Sequence, residues 1–95
     1  MITASQLRAA RALLGIDQRQ LAERAGVSLP TIQRMEASDG IVRGVVETLV
    51  KVVGALQASG IELISDDVPS SGRGRGVRFV EATPQLSLQE RDADA

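Results

Sequence analysis

DQRQLAERAGVSLPTIQRME, residues 17–36, reads as two short amphipathic helices separated by a tight break. The Asp17 carboxylate can accept from the free N–H groups of the next turn and suits their partial positive charge, so a helix is predicted to begin at Gln18. Leu21, Ala22 and Ala25 form its apolar stripe, and Gly26 follows the last periodic residue, where a helix ends at positive φ. Val27, the apolar residue of the turn, is expected to plug the gap between the helices. Ser28 can cap the second helix, and Pro30 is tolerated in a first turn because its missing N–H has no partner there. Ile32, Met35 and Glu36 fall on one face. Helices joined by so short a turn cross steeply, leaving the outer face of the second exposed.

This pattern resembles the Cro/repressor-type (XRE-like) helix-turn-helix DNA-binding domains. The matching residues are Gln18, Leu21, Ala22, Ala25, Gly26, Val27, Ser28, Thr31, Ile32, Arg34 and Glu36, and the similarity in helix pattern runs over about Ala4 to Ser59. A plain αα-hairpin in a small bundle leaves the polar outer face of Ser28, Thr31, Gln33 and Arg34 unexplained.

The 95 residues suffice for one domain at most, with a core near the lower limit for independent folding. With no cysteine and no histidine, a disulfide framework, a thiolate or zinc site and histidine-based catalysis are not expected. No metal or other cofactor is expected, and neither is an enzyme, since the carboxylates are spread over helix surfaces and the C-terminal end. No run approaches a membrane span, and the arginines in MITASQLRAARALLG are unlike a signal peptide, so a cytoplasmic protein is expected, nucleoid-associated when bound to DNA. Although the net charge is −1, it is unevenly placed. Residues 1–44 carry six arginines against four acids, and residues 81–95 carry Arg91 against Glu81, Glu90, Asp92 and Asp94. A basic head with an acidic tail suits a chain that meets phosphate with one end.

Outward from the centre, Thr3 or Ser5 can cap a first helix that runs to about Leu14, with Leu7, Ala10, Leu13 and Leu14 on its buried side. Gly15 ends it and Ile16 turns inward. The resemblance implies a structural ion pair between Arg11 and Glu36, whose breakage would cost roughly 3–5 kcal/mol if it is buried. ASDGIVRG reads as a loop, and a fourth helix is predicted over about Gly44–Ala58, with Val45, Val46, Leu49, Val52, Val53 and Leu56 apolar and Val50 interrupting the polar side. Val50 is either a chance exposure or part of a dimer contact. Beyond Ser59-Gly60 the period becomes alternating, which predicts strands at about 61–65 and 77–81 in a hairpin joined by the flexible DDVPSSGRGRG. An isolated hairpin is marginal, so it is expected to pack on the helices or pair with a second copy, with Ile61, Leu63, Val77 and Phe79 as dimerisation residues. Arg73, Arg75 and Arg78 are either an arm for phosphate or a minor groove, or a solvated loop. Residues 82–95 lack periodicity and are predicted to be a disordered tail.

The expected fold is thus mainly α. A compact four-helix domain with a helix-turn-helix, residues 1–59, precedes a two-stranded β-hairpin at 60–81 and the acidic tail. By resemblance, Gln18 contacts phosphate, Leu29, Pro30 and Arg34 face bases, Ser28, Thr31 and Gln33 reach groove or phosphate, and Arg43 meets the backbone. Leu29 and Pro30 depart from the polar residues often found at those places and offer only apolar contact, best suited to a thymine methyl. The implied function is a homodimeric, sequence-specific transcriptional regulator of double-stranded DNA, more often a repressor, acting on an inverted repeat. Two alternatives are an antitoxin whose residues 61–95 bind a toxin, and a protein-interaction module that holds a partner such as RNA polymerase.

Overall fold

The computed structural model describes residues 2–80. It contains α1 (Ala4–Leu14), α2 (Gln18–Ala25), α3 (Leu29–Glu36) and α4 (Val46–Ala58). Of the two candidate caps for α1, Thr3 is used. Its hydroxyl accepts from the Gln6 N–H at 3.1 Å while the Gln6 side-chain oxygen accepts from the Thr3 N–H at 2.9 Å. Asp17 and Gln20 repeat the same reciprocal box at α2. Gly15 and Gly26 close α1 and α2 at φ 69°, the left-handed conformation that lets the last carbonyls be capped by the chain's own N–H groups. Ser28 caps α3 by accepting from the Thr31 N–H, and Ser59-Gly60 ends α4.

The four helices enclose one core. Leu7 of α1, Leu21 of α2, Ile32 of α3, and Val52 and Leu56 of α4 are fully buried at its centre. Ile16 turns inward and Val27 packs, half-buried, against the core. The loop after α3 contributes more than its composition suggests. Thr3 and Ile41 form an antiparallel bridge, with the Val42 N–H donating to the Ile2 carbonyl at 3.0 Å and the Ala4 N–H to that of Gly40 at 2.9 Å. This brings Ile2 and Val42 into the core and ties the α3–α4 loop to the start of the chain.

Three expected core positions are corrected. Leu13 is 56% exposed because the inward side of α1 is set by Leu7, Ala10 and Leu14, and a further residue of the helical period lies beyond the neighbouring helices. Val45 and Val46, at 71% and 73%, also face outward, since α4 begins at Val46 and meets the core only from Leu49 onward.

Among the described residues no strand forms; the second arm of the hairpin expected at 61–65 and 77–81 runs past residue 80, where the described residues end. Ile61 and Leu63 are drawn half-buried against the helical core, and Gln6 donates its side-chain amide to the Ile64 carbonyl at 3.0 Å. Side chains link distant parts of the segment 62–78. The Glu62 carboxylate accepts from the N–H groups of Ser71 and Gly72 and from the Ser70 hydroxyl, and Arg78 donates to the carbonyls of Ser65 and Val68. The Glu62 carboxyl is held below its ordinary range by these donors, first of all the Ser71 N–H. Residue 81 and the expected tail at 82–95 lie outside the described residues. No described helix is long and apolar enough to cross a membrane.

Candidate nucleic-acid interface

The interface is built from the start of α2, the start and outer face of α3, and the loop that follows. With Ile32, Met35 and Glu36 turned inward, the helical period directs Pro30, Gln33 and Arg34 to the opposite side of α3, where all three are exposed. Ser28 and Thr31 sit at its N-terminal end with their hydroxyls 2.8 Å apart, and Leu29, the first helical residue, is half-buried beside them. Pro30 is the second residue of the helix, where it disrupts no intrahelical bond. Neither Arg34 nor Gln33 spends its side chain on a hydrogen bond among the described residues, so both are available to an outside acceptor.

The angle of α3 is set from beneath by a polar network around the Glu36 carboxylate, a residue only 5% exposed. Arg11 grips it through two parallel N–H donors, one of them at 2.7 Å, and also donates to the Ile16 carbonyl at 3.2 Å. Gln18 donates its amide to the same carboxylate at 3.0 Å, and Arg8, one turn before Arg11, reaches the Glu36 carbonyl. Burial by itself pushes the Glu36 carboxyl up, but the hydrogen bonds from Arg11 and Gln18 and the charges of Arg11 and Arg8 outweigh it and hold the carboxyl below its ordinary range. The Arg11 guanidinium is correspondingly raised, chiefly by its hydrogen bond to Glu36. The fork-to-carboxylate geometry fixes direction as well as distance, so α1, the start of α2 and the end of α3 are held as one body.

Gln18 is therefore not simply a side chain aimed at solvent. Its amide group carries two hydrogens, of which one is given to Glu36, leaving the other and the unpaired first-turn backbone N–H groups of α2 for an anion. Arg19, exposed at the next position of that turn, is a basic residue that the motif reading did not single out. Its position beside Gln18 was the available signal. Arg43 is exposed in the loop before α4, whose cap residue Val45 supplies no side-chain acceptor, so the first-turn N–H groups there also lack a side-chain partner. The four residues expected at a dimer contact are divided, with Ile61 and Leu63 against the core and Val77 and Phe79 in solvent.

Among the described residues no group of histidine, cysteine or carboxylate side chains is arranged to hold a metal ion. The site's chemistry is that of donors: a guanidinium, amides and hydroxyls on a convex helix, with backbone N–H groups at helix starts. Such a surface meets phosphate oxygens and base edges.

Comparison with known proteins agrees with that chemistry. Neither the curated proteins nor the solved structures yield a match. The sequence model of a family described as a helix-turn-helix domain matches residues 4–59, which span α1 through the end of α4. The chain belongs to this helix-turn-helix domain family and carries its double-stranded-DNA-binding module.

Proposed function

We propose that this protein is a sequence-specific transcriptional regulator of the Cro/repressor (XRE-like) type, more often repressing than activating, that works in the cytoplasm as a homodimer on an inverted repeat. The observation that carries the reading is α3 itself, a short helix locked from below by Glu36 and presenting Gln33 and Arg34 unspent on its outer face. Arg34 suits guanine, whose two acceptors match the guanidinium fork, and the half-buried Leu29 and the exposed Pro30 suit the methyl group of thymine. Gln18, Arg19 and Arg43 supply the phosphate contacts that set register, with Ser28 and Thr31 beside them. One domain of this size covers one half-site, which is why a two-fold partner belongs to the reading.

The test is selection of bound sequences from random duplex DNA at near-physiological salt with the full chain. An inverted repeat with half-site centres about one helical turn apart is expected. Arg34→Ala is expected to lose preference at one position per half-site, a discrimination of about 1–3 kcal/mol. Unchanged preference in that variant would remove α3 from the role of reader.

A second reading has a specific observation in its favour. Val77, Phe79 and Val80 are exposed, Phe79 at 95%, which suits an antitoxin whose segment beyond residue 60 is covered by a toxin. A toxin-like reading frame next to the gene, and its product co-purifying with this chain, would favour it.

A further inference from the structure

Arg73, Arg75 and Arg78 are alike in the sequence, but the structure divides them. Arg78 turns back to donate to the carbonyls of Val68 at 2.8 Å and Ser65 at 3.0 Å, which closes the neck of the segment. Arg73 and Arg75 are exposed and make no hydrogen bond or ion pair among the described residues. A second clip lies beside them. The Glu62 carboxylate accepts from the N–H groups of Ser71 at 2.9 Å and Gly72 at 2.8 Å and from the Ser70 hydroxyl at 2.9 Å. A Cβ added at Gly72 would stand 2.5 Å from a Glu62 carboxylate oxygen, so it is glycine that lets the carboxylate reach this N–H. From Pro69 to Val77 the chain has no acidic residue of its own. Asp66 and Asp67 stay at the neck, where they line one depression with Arg78 and Phe79. The segment leaves the helical domain on the side of Arg43: Gln6 holds the Ile64 carbonyl at 3.0 Å and boxes with Thr3, whose bridge partner Ile41 lies two residues before Arg43.

We propose that Arg73 and Arg75 form a second DNA-backbone contact, clipped in place by Glu62 and Arg78, that meets phosphates of the same duplex beyond those reached by Gln18, Arg19 and Arg43. The guanidinium fork matches phosphate oxygens, and the glycines on either side of each arginine let the backbone come close. The tip has no aromatic side chain on which an unpaired base could stack, so its chemistry is that of a duplex backbone and not of a single strand. Glu62 is a positioning residue in this arrangement. Its charge alone repels DNA, whereas its clip orders the arginines that attract it. The inference rests on the DNA-binding reading above and adds to it a contact outside residues 4–59, the span of the family match.

The experiment is fluorescence-anisotropy titration of the selected duplex with the full chain, from about 50 to 200 mM salt, with circular dichroism of each variant. The double variant Arg73→Ala/Arg75→Ala is expected to lower the slope of log affinity against log salt by about two for each chain bound and to weaken binding to all sequences alike. Helix content should not change, since neither the tip nor its clips lie in a helix. Glu62→Ala separates the two roles by sign. Removing an exposed negative charge tightens binding if repulsion is all that Glu62 supplies, and weakens it if the clip matters, which is the expected result. Gly72→Ala displaces the carboxylate while leaving the charge in place, and should weaken binding in the same way. An unchanged slope in the double variant, with Arg34→Ala still losing base preference, overturns the proposal and leaves the regulator reading standing. Tighter binding by Glu62→Ala overturns it as well, and so does a changed base preference in the double variant, which would place the tip in a groove. A wild-type chain without affinity for any duplex would end both readings.

Discussion

Glu36 ends α3 with its side chain out of water, so its charge is tolerable only while Arg11 and Gln18 hold it. Arg11→Met is expected to destabilise the domain by about 3–5 kcal/mol at neutral pH in denaturant melts, because it strands that carboxylate. The pH dependence follows from the direction of its shift. The folded carboxyl lies below its ordinary value near 4.5, so the stability it supplies is complete above that value and is lost as pH falls from there through the folded value. Wild type should therefore lose stability below about pH 4.5, and Arg11→Met should lose less over the same interval. Equal losses in the two proteins would remove Glu36 as the cause. At the surface, Arg34 and Arg43 are expected to separate by salt. Arg43→Ala should lower the slope of log affinity against log salt by about one and weaken binding to all sequences alike, the mark of a phosphate contact. A change in base preference instead would place Arg43 in the groove.

At the scale of elements, the central helix pair is held by its ends. Gly26 sits at φ 69° with no atom within 4 Å of an added Cβ, so Gly26→Ala meets no clash and costs only backbone strain, about 1–2 kcal/mol. Gly26→Asn should recover part of this, since Asn tolerates the left-handed conformation. Thermal melts of the two variants distinguish strain from packing, because lost packing would leave both equally unstable. These ends were legible because a cap is local: Asp17 and Gln20, or Ser28 and Thr31, lie three residues apart and need no other part of the chain. Where an element's surroundings matter, the local period is not enough. Val45 and Val46 carry the apolar period of α4, yet nothing in that period says that the core begins at Leu49.

For the whole molecule, the boundary of the folded unit lies a little past the family match. Ile61 and Leu63 are half-buried on the core, and Gln6 holds the Ile64 carbonyl, so residues 61–64 act as a strap over the helices. Truncation after Gly60 is expected to cost about 2–3 kcal/mol, the worth of two partly buried aliphatic side chains and a hydrogen bond. Truncation after Ser65 should cost little. Equal melting of the two shortened chains would show that the strap contributes nothing. Since a small domain has only about 5–15 kcal/mol in all, the first truncation is expected to be visible at physiological temperature.

The sequence by itself determined where α2 and α3 start and stop, where α1 and α4 end, which side of α2 and α3 turns inward, and that the outer side of α3 carries Gln33 and Arg34. These follow from capping, the left-handed glycine and the helical period, all of which act within a turn or two of chain. Only the tertiary structure decided that Ile2 and Val42 pair across the start of α1 to complete the core, and that Gln18 serves Glu36 as well as the surface. It also decided that Ile61 and Leu63 pack on the helices, and that the Val46–Val50 side of α4 is left bare. Each depends on which distant segment arrives first at an apolar face or an unpaired donor, a competition between contacts many residues apart that no local period records.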